Sequence, residues 1–144
     1  MLDNIIRLVN DNETILITSL GDDFLKIIKR IDKFKVGVTI YLLKCQLEEK
    51  IKCELREAPL DNVDIIFTNI SSLPCVIKKI DKLFCGSQIV YSNSTVLSSS
   101  GSSLVASLAY KFRKPFYMIS MICSFTQKTQ LDSLSINQSK ITQY

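Results

Sequence analysis

The sequence predicts one α/β domain, a Rossmann-like, mainly parallel sheet in three layers with helices on both faces. Compact runs rich in β-branched residues, such as T-I-L-I-T and V-G-V-T-I-Y-L-L, alternate with stretches of helical spacing along the chain. These runs are apolar almost throughout, as strands buried on both faces must be. Residues 81–125 then supply a strand, a Ser-rich loop, a helix opened by Gly101-Ser102 and a strand set off by Pro115. An open α/β sheet builds a phosphate-facing crevice with that layout.

Taken in order, residues 2–9 place Leu2, Ile5, Ile6, Leu8 and Val9 near helical spacing, and Asn10-Asp11-Asn12 ends this lead-in helix. Residues 14–18 read as a buried strand, closed by Ser19-Leu20-Gly21. Asp22 can cap a helix that turns Phe24, Leu25, Ile27, Ile28 and Ile31 inward. Residues 36–43 are a second strand. Residues 46–57 mix charges around a narrow stripe of Leu47, Ile51 and Leu55, and Pro59 closes this helix. A third strand covers residues 63–67. Residues 71–80 suggest a fourth helix with Pro74 in its first turn. The strand 82–85, the helix 102–112 and the strand 116–122 complete the pattern, and the right-handed crossover rule applies to each parallel unit.

The chain has 144 residues, enough for one domain that buries roughly 68–70% of its unfolded surface. Hydrophobic residues make up 47% and charged residues 22%, an ordinary globular balance. A mean hydropathy of +0.19 is high for a soluble monomer and points to an apolar face covered in an oligomer. No apolar run approaches the roughly 18 residues that cross a bilayer, and the acidic groups near the start are unlike a signal peptide, so a cytoplasmic protein is expected. Five scattered cysteines, no C-x-x-C pair and no histidine exclude His-containing zinc sites and disfavour a disulfide framework. No metal site and no cofactor are expected. The densest basic stretch, Lys26 to Lys35, reads as a solvated helix face, so neither a direct nucleic-acid partner nor a membrane is expected.

Residues 98–103, S-S-S-G-S-S, stand where a strand-to-helix turn presents N–H groups and hydroxyls, and the helix start adds roughly half a positive charge. Ser98, Ser99, Gly101, Ser102 and Ser103 are thus candidates to hold a phosphate or small ligand, although a simple capped turn has the same composition. The loop from Gly86 to Gly101 has no Asp, Glu, Lys, Arg, His or Cys, so it offers no agent of proton transfer. Cys85 lies in an apolar run with no histidine to activate it, and Cys123 falls at a strand end; both read as structural thiols. No catalytic residue is assigned.

The run from Gly86 to Phe116 resembles the alpha, beta and delta subunits of eukaryotic translation initiation factor 2B and the related sugar-phosphate isomerases. The family pattern is Gly-Ala-x5-Asn-Gly, Gly-Thr seven residues later, alanines along the following helix, then Pro-Phe or Pro-Val. Gly86, Asn93, Gly101, Ser102, Ala106, Ala109, Lys111 and Pro115 fall at matching places. Gln130, Asp132 and Ser133 resemble a Gln-Thr-Asp-Ser stretch of the delta subunit, the most similar of the three. The resemblance covers the family's C-terminal Rossmann-like domain, here residues 1–123 with a polar tail or arm at 124–144. It implies a fragment or a shortened paralogue, with the N-terminal helical domain absent or reduced to residues 2–9.

Departures from the pattern bear on activity. The related isomerases carry Asp where this chain has Gln88 and Thr95, a basic residue where it has Ser99, and a catalytic Cys in the loop where it has Ser19-Leu20-Gly21. The delta subunit's Glu and Lys near the end of the last strand become Met121 and Ser124, and its loop after the second strand becomes Lys44–Lys50. What the resemblance implies is therefore a non-catalytic regulatory or scaffold subunit of the guanine nucleotide exchange complex for initiation factor 2. Its implied partners are related 2B subunits and initiation factor 2, in a homo- or hetero-oligomer. Gln88, Asn93, Thr95, Met121, Cys123 and Phe125 would line the pocket rim or the partner contact. The alternative is a sugar-phosphate- or nucleotide-binding protein, or a diverged isomerase, using the serines of 98–103.

Overall fold

The computed structural model describes residues 2–18, 24–43, 48–57, 59–120 and 124–127. In chain order these form α1 (Leu2–Leu8), β1 (Thr14–Thr18), α2 (Phe24–Phe34), β2 (Val38–Leu43), α3 (Glu48–Glu57), β3 (Val63–Thr68), α4 (Leu73–Val76), β4 (Lys82–Gly86), β5 (Ile89–Val90), β6 (Val96–Leu97), α5 (Ser102–Lys111) and β7 (Phe116–Ile119). Five strands make one sheet in the order β3-β2-β1-β4-β7, and every pairing in it is parallel. The expected α/β class is thus present. Strand order reverses between β1 and β4, so the topological switch point lies over the ends of these two central strands.

Alternation along the central strands sorts their side chains to two cores. Ile15 and Ile17 of β1 join Val38, Ile40 and Leu42 of β2 and Phe84 of β4, packing against α1, α2 and α3 through Ile5, Val9, Leu25, Ile27, Ile28, Ile31 and Ile51. Leu16 and Leu83 point the other way. They meet Leu73, Ile77, Ile80, Val105 and Ala109 from the segment around α4 and from α5. Both faces are covered, which is why β1 needs no polar residue between its ends. Each fully buried Ile or Leu contributes about 1.5–3 kcal/mol relative to exposure.

Polar contacts lock the edges of these layers. Lys82 donates to the Leu8 carbonyl at 2.7 Å, closing the end of α1, and its Nζ stands 2.6 Å and 2.9 Å from the two Glu13 carboxylate oxygens. Asp32 of α2 accepts from the Asn62 backbone N–H at 2.7 Å, setting the entry to β3.

Several boundaries differ from the sequence-based expectation. Strand β2 starts at Val38, because Val36 is exposed and Gly37, at φ +71°, turns the chain beside Asn12. The helix expected over 71–80 is one α turn, α4, between 3₁₀ turns Ile70–Ser72 and Ile77–Lys79. Pro74 stands in the first turn of α4 as expected, but Ile80 is already extended to lead into β4. Strand β7 stops at Ile119, and residues 121 and 122 lie outside the described residues. The loop after β4 holds a two-stranded antiparallel hairpin, β5–β6, that periodicity cannot reveal in two-residue strands. Val90 also bridges in parallel to Phe125, and the Thr126 N–H donates to the Val90 carbonyl at 2.9 Å. The Ser19-Leu20-Gly21 turn, the Asp22 cap, Lys44–Leu47 and residues 128–144 lie outside the described residues. Among the described residues, no helix is long and apolar enough to cross a membrane.

Candidate functional site

The carboxyl ends of β1 and β4 meet where Thr18 pairs with Cys85, and the chain leaves β4 at Gly86 into the β5–β6 hairpin. The hairpin returns to the same place at Ser98. Ser98 Oγ donates to the Gly86 carbonyl at 2.5 Å and stands 2.9 Å from Ser102 Oγ. A hydroxyl has one proton, so the Ser102 hydroxyl must supply the hydrogen between the two serines. Cys85 Sγ completes the cluster, 3.5 Å from Ser98 Oγ and 3.7 Å from the Gly86 carbonyl oxygen. Ser102, Ser98 and Gly86 thus form a directed chain of hydrogen bonds that runs into the strand end.

Gly101 makes this closure possible. It begins α5 at φ +88°, and a Cβ built there would lie 2.5 Å from Ile70 Cδ1, so both conformation and space call for glycine. No side chain caps the helix at this position. The Ser102 N–H instead donates to the Ser99 carbonyl at 3.2 Å. Ser103 is exposed on the outer side of α5, away from buried Ser102.

The hairpin carries the remaining candidates. Gln88 is exposed, and its backbone N–H pairs with the Leu97 carbonyl at 2.8 Å. Asn93 Oδ1 accepts from the Thr95 N–H at 3.2 Å, while Ser94 adopts φ +64° at the tip. Tyr91 is buried and holds the turn through backbone bonds with Ser94 and Thr95. Phe125 lies beside the hairpin through its bridge to Val90 and is largely exposed. Met121 and Cys123 lie outside the described residues.

Structure therefore brings Ser98, Gly101 and Ser102 together at the switch point, and it sets Gln88, Asn93 and Thr95 on the hairpin that leaves β4, with Phe125 bridged beside it. Sequence reasoning missed the Ser87 link, in which Ser87 Oγ stands 2.6 Å from Ser120 Oγ and its N–H donates to the Ile119 carbonyl at 2.8 Å. It also missed Ile70 beside Gly101; a signal for the hairpin itself lay in I-V-Y-S-N-S-T-V-L, the apolar pairs Ile89-Val90 and Val96-Leu97 around an Asn-Ser turn. Among the described residues no group of His, Cys, Asp or Glu could hold a metal ion.

A parallel sheet in this order, with a Ser/Gly turn over the switch point and a helix opening from it, defines a Rossmann-like domain. The chain belongs to the initiation factor 2 subunit family, whose sequence pattern matches residues 1–143. It is 28% identical over 130 residues to translation initiation factor eIF2B subunit delta of Dictyostelium discoideum, covering 90% of this chain and 21% of that protein. Its fold is shared with eIF2B beta from Chaetomium thermophilum, at a TM-score of 0.76 and 19% identity, over 93% of this chain and 40% of that one. A chain of the tetrameric eIF2B-beta2-delta2 complex from the same organism matches at a TM-score of 0.74 and 18% identity, over 91% of this chain and 45% of that one. The chain thus spans about a fifth of the Dictyostelium relative and under half of each solved structure.

Proposed function

We propose that this domain acts as a non-catalytic regulatory or scaffold element of an eIF2B-type complex in the cytoplasm, pairing with related subunits and recognising initiation factor 2. The supporting observation is the directed hydrogen-bond chain at the switch point. Hydroxyl protons that could serve a ligand run from Ser102 through Ser98 into the Gly86 carbonyl, and no acid or base stands in the loop above them. The family frame is kept, while the loop from Gly86 to Gly101 supplies no acid or base for proton transfer. Similarity to delta subunits, and to a chain from a beta–delta tetramer, supports pairing between related domains.

Tagged protein purified from its own cells, with bound proteins identified by mass spectrometry, tests this reading. Recovery of related subunits or initiation factor 2 is expected, and recovery of neither rejects it. The competing reading is a sugar-phosphate site at the start of α5, favoured by the serines around Gly101. Thermal shift with ribose phosphates and sugar nucleotides separates the two, since a ligand at a hundred times its Kd stabilises by about 2.7 kcal/mol. No shift is expected for the scaffold.

A further inference from the structure

From the cationic patch where α5 ends beside the turn after α4, we infer a docking surface for an acidic, leucine- or aromatic-bearing protein segment. Lys78 and Lys79 end the 3₁₀ turn, Lys111 ends α5, and Arg113 and Lys114 follow it. The two groups are in contact, because Lys114 Nζ donates to the Lys78 carbonyl at 3.1 Å. All but the half-buried Lys114 are exposed, and none forms a salt bridge with a carboxylate among the described residues. Two helix-type C-termini favour one or two cations through their dipoles, and five exceed that need.

The neighbouring surface narrows the occupant. Tyr110 is 88% exposed and Leu104 is 48% exposed, both on the outer side of α5 that leads to Lys111. Phosphate backbones are tracked by a basic groove with several stacking aromatics, whereas this surface sets one tyrosine and one leucine beside compact lysines. Mixed apolar and cationic character fits a peptide with acidic and large apolar residues. Residues 128–144 carry Lys128, Asp132 and Lys140, with no acidic run to lay on the patch, so they are not the segment it takes.

The full chain titrated against a fluorescein-labelled peptide of alternating Glu and Leu residues tests the inference by anisotropy. Binding that weakens with salt is expected, with at least a ~10-fold loss in the double variant Lys79→Glu/Lys111→Glu, since like charges then face the peptide. The neutral pair Lys79→Gln/Lys111→Gln should lose less, Tyr110→Ala should weaken binding without altering its salt dependence, and Lys33→Glu on the far helix should change little. Thermal midpoints of these surface variants check that each remains folded. The inference fails if the peptide does not bind, if Lys33→Glu costs as much as the double variant, or if oligouridylate of equal length binds as tightly as the peptide.

Discussion

Gly101 and Glu13 are the residues on which local geometry depends most directly. At Gly101 a methyl group would meet Ile70 and a left-handed φ at once. We expect Gly101→Ala to destabilise the domain by about 1–3 kcal/mol in urea unfolding, and Ile70→Val in the same chain to recover only the steric part. For Glu13, burial by itself pushes the carboxyl pKa up, but the Asn10 backbone N–H, Lys82 and the Asn10 side chain outweigh it and hold the group below its ordinary value of 4.5. A carboxyl whose pKa is lower folded than unfolded stabilises the fold above the unfolded value. That contribution disappears as pH falls through the folded value. Urea midpoints measured from neutral pH downward should therefore converge for the native chain and Glu13→Gln in acid, and separate again above the ordinary carboxylate range.

Among the elements, the β5–β6 hairpin departs furthest from expectation. Its strands are two residues each, too short for any alternation to show, and their pairing depends on the turn at Asn93-Ser94. Ser94 stands at φ +64°, a conformation that costs a residue with a side chain about 1–2 kcal/mol. Ser94→Gly should raise stability by up to about 1 kcal/mol and leave backbone chemical shifts of the sheet unchanged. A loss of stability would show that the Ser94 side chain itself supports the turn. The segment 70–80 gives the complementary lesson. Leu73, Ile77 and Ile80 have the spacing of one long helix, yet the chain makes a single α turn flanked by 3₁₀ turns. All three side chains still reach the core, so the apolar pattern reported burial correctly and regularity poorly.

For the whole molecule, a parallel sheet with helical crossovers points its helices the same way. Helix C-termini then gather at one end, and Arg7, Lys33, Arg56 and Lys111 stand in the last turns of α1, α2, α3 and α5. Each such cation is worth typically 0.3–1 kcal/mol against the dipole at low salt, roughly halved or less once screened. Large apolar groups are exposed as well, among them Phe34 and Tyr110 in the last turns of α2 and α5 and Phe125 beside the hairpin, surfaces suited to being covered. If the domain pairs as proposed through these apolar groups, sedimentation with a related subunit should give a complex that persists as salt is raised, since screening weakens only charged contacts. Two independent sedimenting species at all concentrations would argue against pairing.

From the sequence alone followed the α/β class, the approximate place along the chain of each strand of the main sheet, the glycine at the start of α5 and the absence of acid and base from the loop. These are legible because burial on two faces imposes continuous apolar runs, and because few residues other than glycine tolerate a left-handed turn. Tertiary structure alone decided the order β3-β2-β1-β4-β7, the hairpin, the contact between Gly101 and Ile70 and the direction of the Ser102, Ser98 and Gly86 bonds. Each joins groups far apart along the chain or depends on one proton's choice between acceptors. Hydrophobic periodicity records how much of a residue is buried, not which distant atom it meets.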